Sequence, residues 1–88
     1  MNERKVKVTN PLGVHARPAA MLVQTAAKFK SEIWLSKDGN EVNGKSMLGV
    51  MTLAAEMGST VIIKADGPDE DKAIEALARV FEIRFGEA

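Results

Sequence analysis

Short β-type runs alternate with amphipathic helical runs along this chain, and their order constrains the fold more than any other feature. Four segments are rich in β-forming residues or alternate between apolar and polar residues, whereas three others repeat apolar residues at helical spacing. The predicted order is βαββαβα, which is typical of an α+β domain with helices on one face of an antiparallel sheet. A chain of 88 residues is long enough for one modest core, so we predict a single domain over residues 1–88.

The strand predictions rest on alternation, β-propensity and turn signals. Strands are predicted over residues 3–8, 31–36, 41–43 and 60–65. Asp38 and Gly39 favour a tight hairpin between the second and third strands, because they tolerate the positive φ values of such a turn. The last strand carries no charge before Lys64, which predicts a position in the interior of the sheet.

Helices are predicted over residues 16–29, over residues 47–55 and from a cap at Gly67 or Asp69 onward. Ser46 is the predicted N-cap of the second helix and Gly58 its predicted stop. The predicted buried stripes consist of Ala19, Leu22, Val23, Ala26 and Phe29 in the first helix, and of Ile74, Leu77, Phe81 and Phe85 in the last, with Ala73 and Val80 beside it.

The hexapeptide Gly13–Pro18 contains the one histidine of the chain and lies where a loop should enter the first helix. Pro18 suits a first helical turn. His15 would then lie beside backbone N–H groups that have no partner inside the helix. These donors, the helix dipole and Arg17 form a small anion site and disfavour an imidazolium ion. A neutral, nucleophilic imidazole in an anion site indicates a histidine that accepts a phosphoryl group.

A plainer interpretation is that His15 is only a partly exposed residue at a helix start. Against it, histidine caps a helix poorly, and the dipole opposes Arg17 in the first turn. Two locally unfavourable residues so close together favour a functional role.

Other site chemistries fit less well. One histidine and no cysteine exclude the usual zinc sites, so we expect no metal. A Ser-His-Asp triad would need an acidic residue to orient His15 and a substrate cleft. Gly44-Lys45-Ser46 lacks the upstream glycine of a Walker loop, so we expect no nucleotide cofactor.

The charge balance, the length of the apolar runs and the absence of cysteine limit the classes of partner and the compartment that we expect. Twelve basic residues balance twelve acidic ones, so no general positive field would attract nucleic acid. No apolar run is long enough to cross a membrane, and the absence of cysteine suits a reducing compartment. We expect a cytoplasmic monomer.

The segment Gly13–Pro18 resembles the active site of HPr, the histidine-containing phosphocarrier family of the bacterial phosphoenolpyruvate-dependent phosphotransferase system. A second segment, Val42–Met51, resembles the regulatory-serine region of that family. The resemblance covers essentially the whole chain. It implies an open-faced β-sandwich with sheet order 1-4-2-3 and three helices on one side.

The resemblance also implies a function. His15 would take a phosphoryl group on Nδ1 from Enzyme I and pass it to an A component (EIIA) of a sugar permease or of a nitrogen-regulatory branch. The protein would be a carrier, not an enzyme, with Arg17 as the phosphate partner. In some lineages an HPr kinase/phosphorylase would modify Ser46. Regulatory-only members of the family lack the phosphoacceptor histidine, so His15 argues against that class.

Serine at a helix start is by itself ordinary capping. A phosphate on Ser46 would add negative charge beside exposed apolar side chains of the short second helix. Together with the first helix these side chains would form a docking surface for partner proteins, which we define as Ala16, Ala20, Met21, Met47, Leu48 and Met51. Core packing is an equally good interpretation of Met47 and Met51 taken singly.

Two further functions stay open at this point. One is a regulatory binding module in which Ser46 phosphorylation controls a partner, and the other, more distant, is a small-ligand-binding domain. The sequence does not separate sugar uptake from nitrogen regulation, identify the downstream EIIA or show that Ser46 is modified.

Overall fold

The structure is a computed structural model and describes residues 1–87. Its elements follow the predicted order: β1 (Asn2–Lys7), α1 (Ala16–Ala26), β2 (Glu32–Lys37), β3 (Asn40–Asn43), α2 (Met47–Thr52), β4 (Thr60–Asp66) and α3 (Glu70–Glu82), followed by a short turn at Arg84–Gly86.

The four strands form one antiparallel sheet in the order β1-β4-β2-β3, as the family resemblance implies. β4 pairs with β1 on one side and with β2 on the other, which confirms its interior position. Burial alternates along its residues, with Val61 and Ile63 buried and Ile62 only partly so. One face of the sheet is therefore covered by the core, and the other is more open to solvent.

The core lies between this sheet face and the helices. α1 packs against α2 and α3, and α3 also packs on β1 and β4. The apolar stripes predicted for α1 and α3 are largely buried, although Val23, Phe29 and Val80 are only partly so; their fully buried members are Ala19, Leu22, Ala26, Ala73, Ile74, Leu77 and Phe81. This packing sets the direction of α1 and hence the place of its first residues.

All three helices end earlier than the periodicity predicts. α1 stops at Ala26, and its last turn tightens as the N–H of Phe29 bonds the carbonyl of Ala26 at 3.1 Å. α2 stops at Thr52, because Ala54 takes a left-handed φ of 52°. The predicted stop at Gly58 was therefore wrong.

The end of α3 differs in a way that matters for the site. Phe85 is buried, as predicted, but α3 ends at Glu82 and Phe85 lies in the following turn with a φ of 56°. The N-cap position of α3 is Asp69, one of the two predicted candidates. The hairpin turn has positive φ at Asp38 and Gly39, as predicted.

The carboxylate of Asp69 bonds the chain that follows α1 instead of capping its own helix. It accepts hydrogen bonds from the backbone N–H groups of Lys30 and Ser31, both at 2.9 Å, and from the Ser31 hydroxyl. Mainly the Ser31 hydroxyl and then the Lys30 N–H lower the pKa of Asp69 from 3.8 to about 2. This carboxylate therefore joins the end of α1 to the start of α3.

Replacing Asp69 by alanine should lower Tm by about 5–10 °C at neutral pH, because the N–H and hydroxyl of the fully buried Ser31 lose their acceptor. A depressed pKa stabilises the fold only while the carboxylate is ionised. The wild-type advantage should be full above pH 4 and lost as the pH falls toward 2, because the unfolded state binds the proton first. Thermal melts of wild type and D69A from pH 2 to pH 7 test this, with the exposed Glu75→Gln as the control. A difference in Tm between wild type and D69A that is the same at every pH would contradict it.

Candidate functional site

His15 occupies the N-cap position of α1, as the sequence predicts. Its backbone is extended, and its side chain makes no capping hydrogen bond. The side chain is 37% exposed. The N–H groups of Ala16 and Arg17 have no acceptor within the helix, and Pro18 has no N–H. The ring therefore lies at an uncapped helix start, where an anion is favoured.

The loop that delivers His15 is held by backbone contacts at each step. Asn10 is fully buried; its carbonyl accepts from the Gly13 N–H at 3.1 Å, and its side-chain Nδ2 donates to the Gly13 carbonyl at 2.8 Å. The next N–H, that of the buried Val14, donates to the Ala55 carbonyl at 2.8 Å. The loop is thereby fixed to the chain that leaves α2.

An acidic side chain contacts the ring, which the sequence analysis did not predict. Glu87 places Oε2 at 2.9 Å from His15 Nε2, and its Oε1 accepts from Asn10 Nδ2 at 2.9 Å. The Asn10 hydrogen bond is the main cause that lowers the pKa of Glu87, with smaller contributions from His15 and Arg17. An ionised carboxylate can only accept hydrogen bonds, so the Nε2 atom that faces Glu87 is the donor of this contact.

Arg17 lies at the same helix start but makes no hydrogen bond to the imidazole. Its side chain is exposed and makes no hydrogen bond or ion pair with residues 1–87. It is close enough to Glu87 to help lower the pKa of that carboxyl group. The guanidinium is therefore available to an incoming anion.

Ser46 caps α2 as predicted, with its Oγ accepting from the Gly49 N–H at 3.1 Å. The preceding Lys45 extends its Nζ to the Phe29 carbonyl at 2.8 Å, which ties the start of α2 to the loop after α1. Ser46 is half-buried.

The predicted docking surface is partly exposed. Leu48 and Met51 are 75% and 43% exposed, and Ala16 is also exposed. Ala20, Met21 and Met47 are all half-buried. Met21 and Met47 also pack against the core. For Met47 the packing interpretation and the docking interpretation therefore both have support.

Residues 1–87 contain no group of three histidine, cysteine or acidic residues placed to hold a metal ion. A surface groove between β1 and α3 has Arg4, Lys72 and Glu75 in its lining and carries both charges. Across the same residues no helix is long and apolar enough to span a bilayer.

The sequence analysis did not predict two residues of the site, Asn10 and Glu87. The sequence around Asn10 indicates only a turn, and Glu87 lies 72 positions after His15 in the sequence. No local signal could have located Glu87 beside His15, because the contact depends on how the turn at Arg84–Gly86 packs on the rest of the fold.

Comparisons with known proteins place this geometry in a family. The family model described as "PTS HPr component phosphorylation site" matches residues 2–82. The phosphocarrier protein HPr of Xylella fastidiosa is 52% identical over 99% of this chain and 98% of its own. HPr-like protein Crh of Halalkalibacterium halodurans is 48% identical over 93% of this chain and 98% of its own.

A solved structure has the same fold as this chain. The crystal structure of HPr-C-His from Thermoanaerobacter tengcongensis superposes with a TM-score of 0.96 at 48% identity, covering 100% of this chain and 99% of that one. The matched family, the relatives and the solved structure thus agree with one another. The chain belongs to the HPr family, the phosphocarriers of the phosphotransferase system, which carry a phosphoryl group and are not catalytic enzymes.

Proposed function

We propose that His15 is the residue that carries the phosphoryl group. The observation that supports this most is the ring at the uncapped start of α1, exposed enough to be reached and surrounded by free donors. These groups favour the phosphorylated state only modestly, by roughly 0.3–1 kcal/mol for a helix terminus. Modest stabilisation suits a carrier, because a tightly held phosphoryl group could not be passed on.

Arg17 is the proposed partner of that group. Its guanidinium has no acceptor among residues 1–87, and Arg17 is two residues after the N-cap His15. A guanidinium binds phosphoryl oxygens in a bidentate, charge-assisted manner. The same charge is near Glu87, so Arg17 also offsets the negative charge that a phosphoryl group would bring beside a carboxylate.

The proposed donor is Enzyme I and the proposed acceptor an EIIA-type protein, as family membership suggests. Both would dock on the surface formed by the first turns of α1 and by α2, where Leu48 and Met51 supply exposed apolar area. The branch, sugar uptake or nitrogen regulation, depends on which EIIA accepts the group. The protein would work as a cytoplasmic monomer.

Ser46 is the proposed regulatory position, through a kinase of the HPr kinase/phosphorylase class. Its Oγ already occupies the cap of α2, and a phosphate there would add negative charge next to Leu48 and Met51 without opposing the helix dipole. The expected effect is weaker docking rather than unfolding.

A purely regulatory role is the second candidate, favoured by the similarity to HPr-like protein Crh at 48% identity. The relatives named HPr are similar to a comparable degree, so identity does not decide between them. His15 favours carriage, because the family resemblance implies that regulatory-only members lack the phosphoacceptor histidine.

Incubation with Enzyme I and phosphoenolpyruvate tests the proposal. One phosphoryl group per chain should be acquired, labile in acid and mapped by proteolysis to the peptide that contains His15. A chain that takes no label under conditions where an HPr from another bacterium is fully labelled would contradict it. So would an acid-stable label on a serine.

A further inference from the structure

The methionine sulfur atoms are the groups in this chain that react most readily with peroxides. The sequence has five methionines and no cysteine, so no thiolate competes for the oxidant. Oxidation converts a methionine thioether to a sulfoxide, and the flexible apolar side chain becomes polar. The rate at each methionine depends on the exposure of its side chain, and the consequence depends on where that side chain lies.

Exposure divides the methionines into two groups. Met57 and Met51 are 59% and 43% exposed, and Met1 at the start of the chain is also exposed. Met21 and Met47 are half-buried and pack against the core. Peroxide should therefore reach the first group before the second.

Met51 is the exposed methionine that belongs to the predicted docking surface. It follows Leu48 by three residues in α2, and residues three apart lie on the same face of a helix. Val50 is fully buried, whereas Leu48 and Met51 are exposed. The thioether of Met51 thus lies next to Leu48, on the side of α2 that faces away from the core.

Met57 is as accessible as Met51 but lies outside the docking surface. It is in the turn at residues 56–59, where the Ser59 N–H donates to the Glu56 carbonyl at 2.9 Å. The Gly58 N–H fixes this turn to the carbonyl of Val8 at 2.7 Å. Met57 is therefore a matched control within the same chain, because its oxidation leaves the exposed face of α2 unchanged.

We propose that Met51 is a reversible oxidation site through which hydrogen peroxide weakens the docking of partner proteins. The inference rests on the proposed function, in which Enzyme I docks on this surface. The sulfur lone pair bonds one peroxide oxygen, the O–O bond breaks, and the other oxygen leaves as water with both hydrogens. Sulfur loses two electrons and the peroxide gains them. The new sulfoxide oxygen is a hydrogen-bond acceptor, which an apolar partner surface leaves unsatisfied.

The test compares the wild type, Met51→Leu and Met57→Leu before and after treatment with hydrogen peroxide. Leucine has nearly the volume of methionine but no sulfur, so each variant keeps its apolar surface and loses one oxidation site. Mass spectrometry of proteolytic peptides measures conversion at each methionine. When Met51 is fully converted, labelling from limiting Enzyme I should slow about three- to tenfold in the wild type and in Met57→Leu. The same treatment should leave the labelling rate of Met51→Leu unchanged.

The kinetic form of the loss distinguishes docking from damage to the fold. The KM of this protein as a substrate of Enzyme I should rise while kcat stays unchanged, because His15 is not altered. Melting curves of the same samples should coincide, since Met51 is not part of the core. Methionine sulfoxide reductases should restore the original rate.

Two outcomes would overturn the role of Met51: an equal loss in Met51→Leu, or an undiminished rate in the wild type with Met51 fully converted. Absence of label from the unoxidised chain would instead overturn the proposed function. The affinity of Enzyme I for the oxidised and unoxidised chains, measured by calorimetric titration, would then still decide on Met51. A chain that Enzyme I neither labels nor binds would overturn both proposals.

Discussion

Replacing His15 by alanine should reduce phosphoryl transfer from Enzyme I by more than about 100-fold, to the background of the assay, because the change removes the nucleophile itself. The same change should leave the fold almost intact. The side chain caps no backbone group and is 37% exposed, so Tm should stay within about 3 °C of the wild type. Transfer of label to the protein and thermal melts of the same preparation measure the two effects.

Arg17→Ala is the matched control for this prediction. It changes the same helix start but keeps the nucleophile, so labelling should be slowed roughly tenfold and still reach one group per chain. If H15A acquired an acid-labile label at the wild-type rate, the phosphoryl group would be on another residue. If H15A were unlabelled but also unfolded, its melting curve would show it, and the isosteric His15→Gln would replace it.

Local signals predicted the elements because most of the sequence agrees with its own structure. β4 is rich in β-forming residues and carries no charge before Lys64, Asp38-Gly39 suits the hairpin, and Ser46 caps α2. The sheet order came from the family resemblance, since alternation within strands says nothing about which strands pair. The helix ends were misjudged because tertiary contacts decide them.

The site was predicted in part, for an equally physical reason. His15, Pro18 and the helix start are neighbours in sequence, so their arrangement follows from local rules. The contact with Glu87 depends on Arg84 and Phe85 adopting a conformation that their own preferences oppose. No local pattern could supply that contact, because the core and the carbonyl of Thr9 impose it from outside the segment.

Gly13→Ala should be among the most destabilising single changes in the chain, although it adds only one methyl group. Gly13 has a φ of 68°, and a Cβ there would overlap the carbonyl oxygen of Ala55. That oxygen cannot yield easily, because it accepts the N–H of the buried Val14 at 2.8 Å. The left-handed backbone and the overlap together should cost about 3 kcal/mol, or roughly 15 °C in Tm.

Gly39→Ala separates the two causes. Gly39 has a similar φ of 84° but nothing within 4 Å of its added Cβ. Gly39→Ala should therefore lose only the stability that the left-handed backbone costs a residue with a Cβ, about 1 kcal/mol. Transfer activity should separate the variants further, because the overlap at Gly13 pushes the loop that holds His15 away from α2, whereas the hairpin is remote from His15 in the chain. Equal losses of stability in the two variants would mean that the contact with Ala55 does not hold the loop. A larger loss in Gly13→Ala, together with slowed labelling, would mean that the position of the phosphoacceptor depends on this contact.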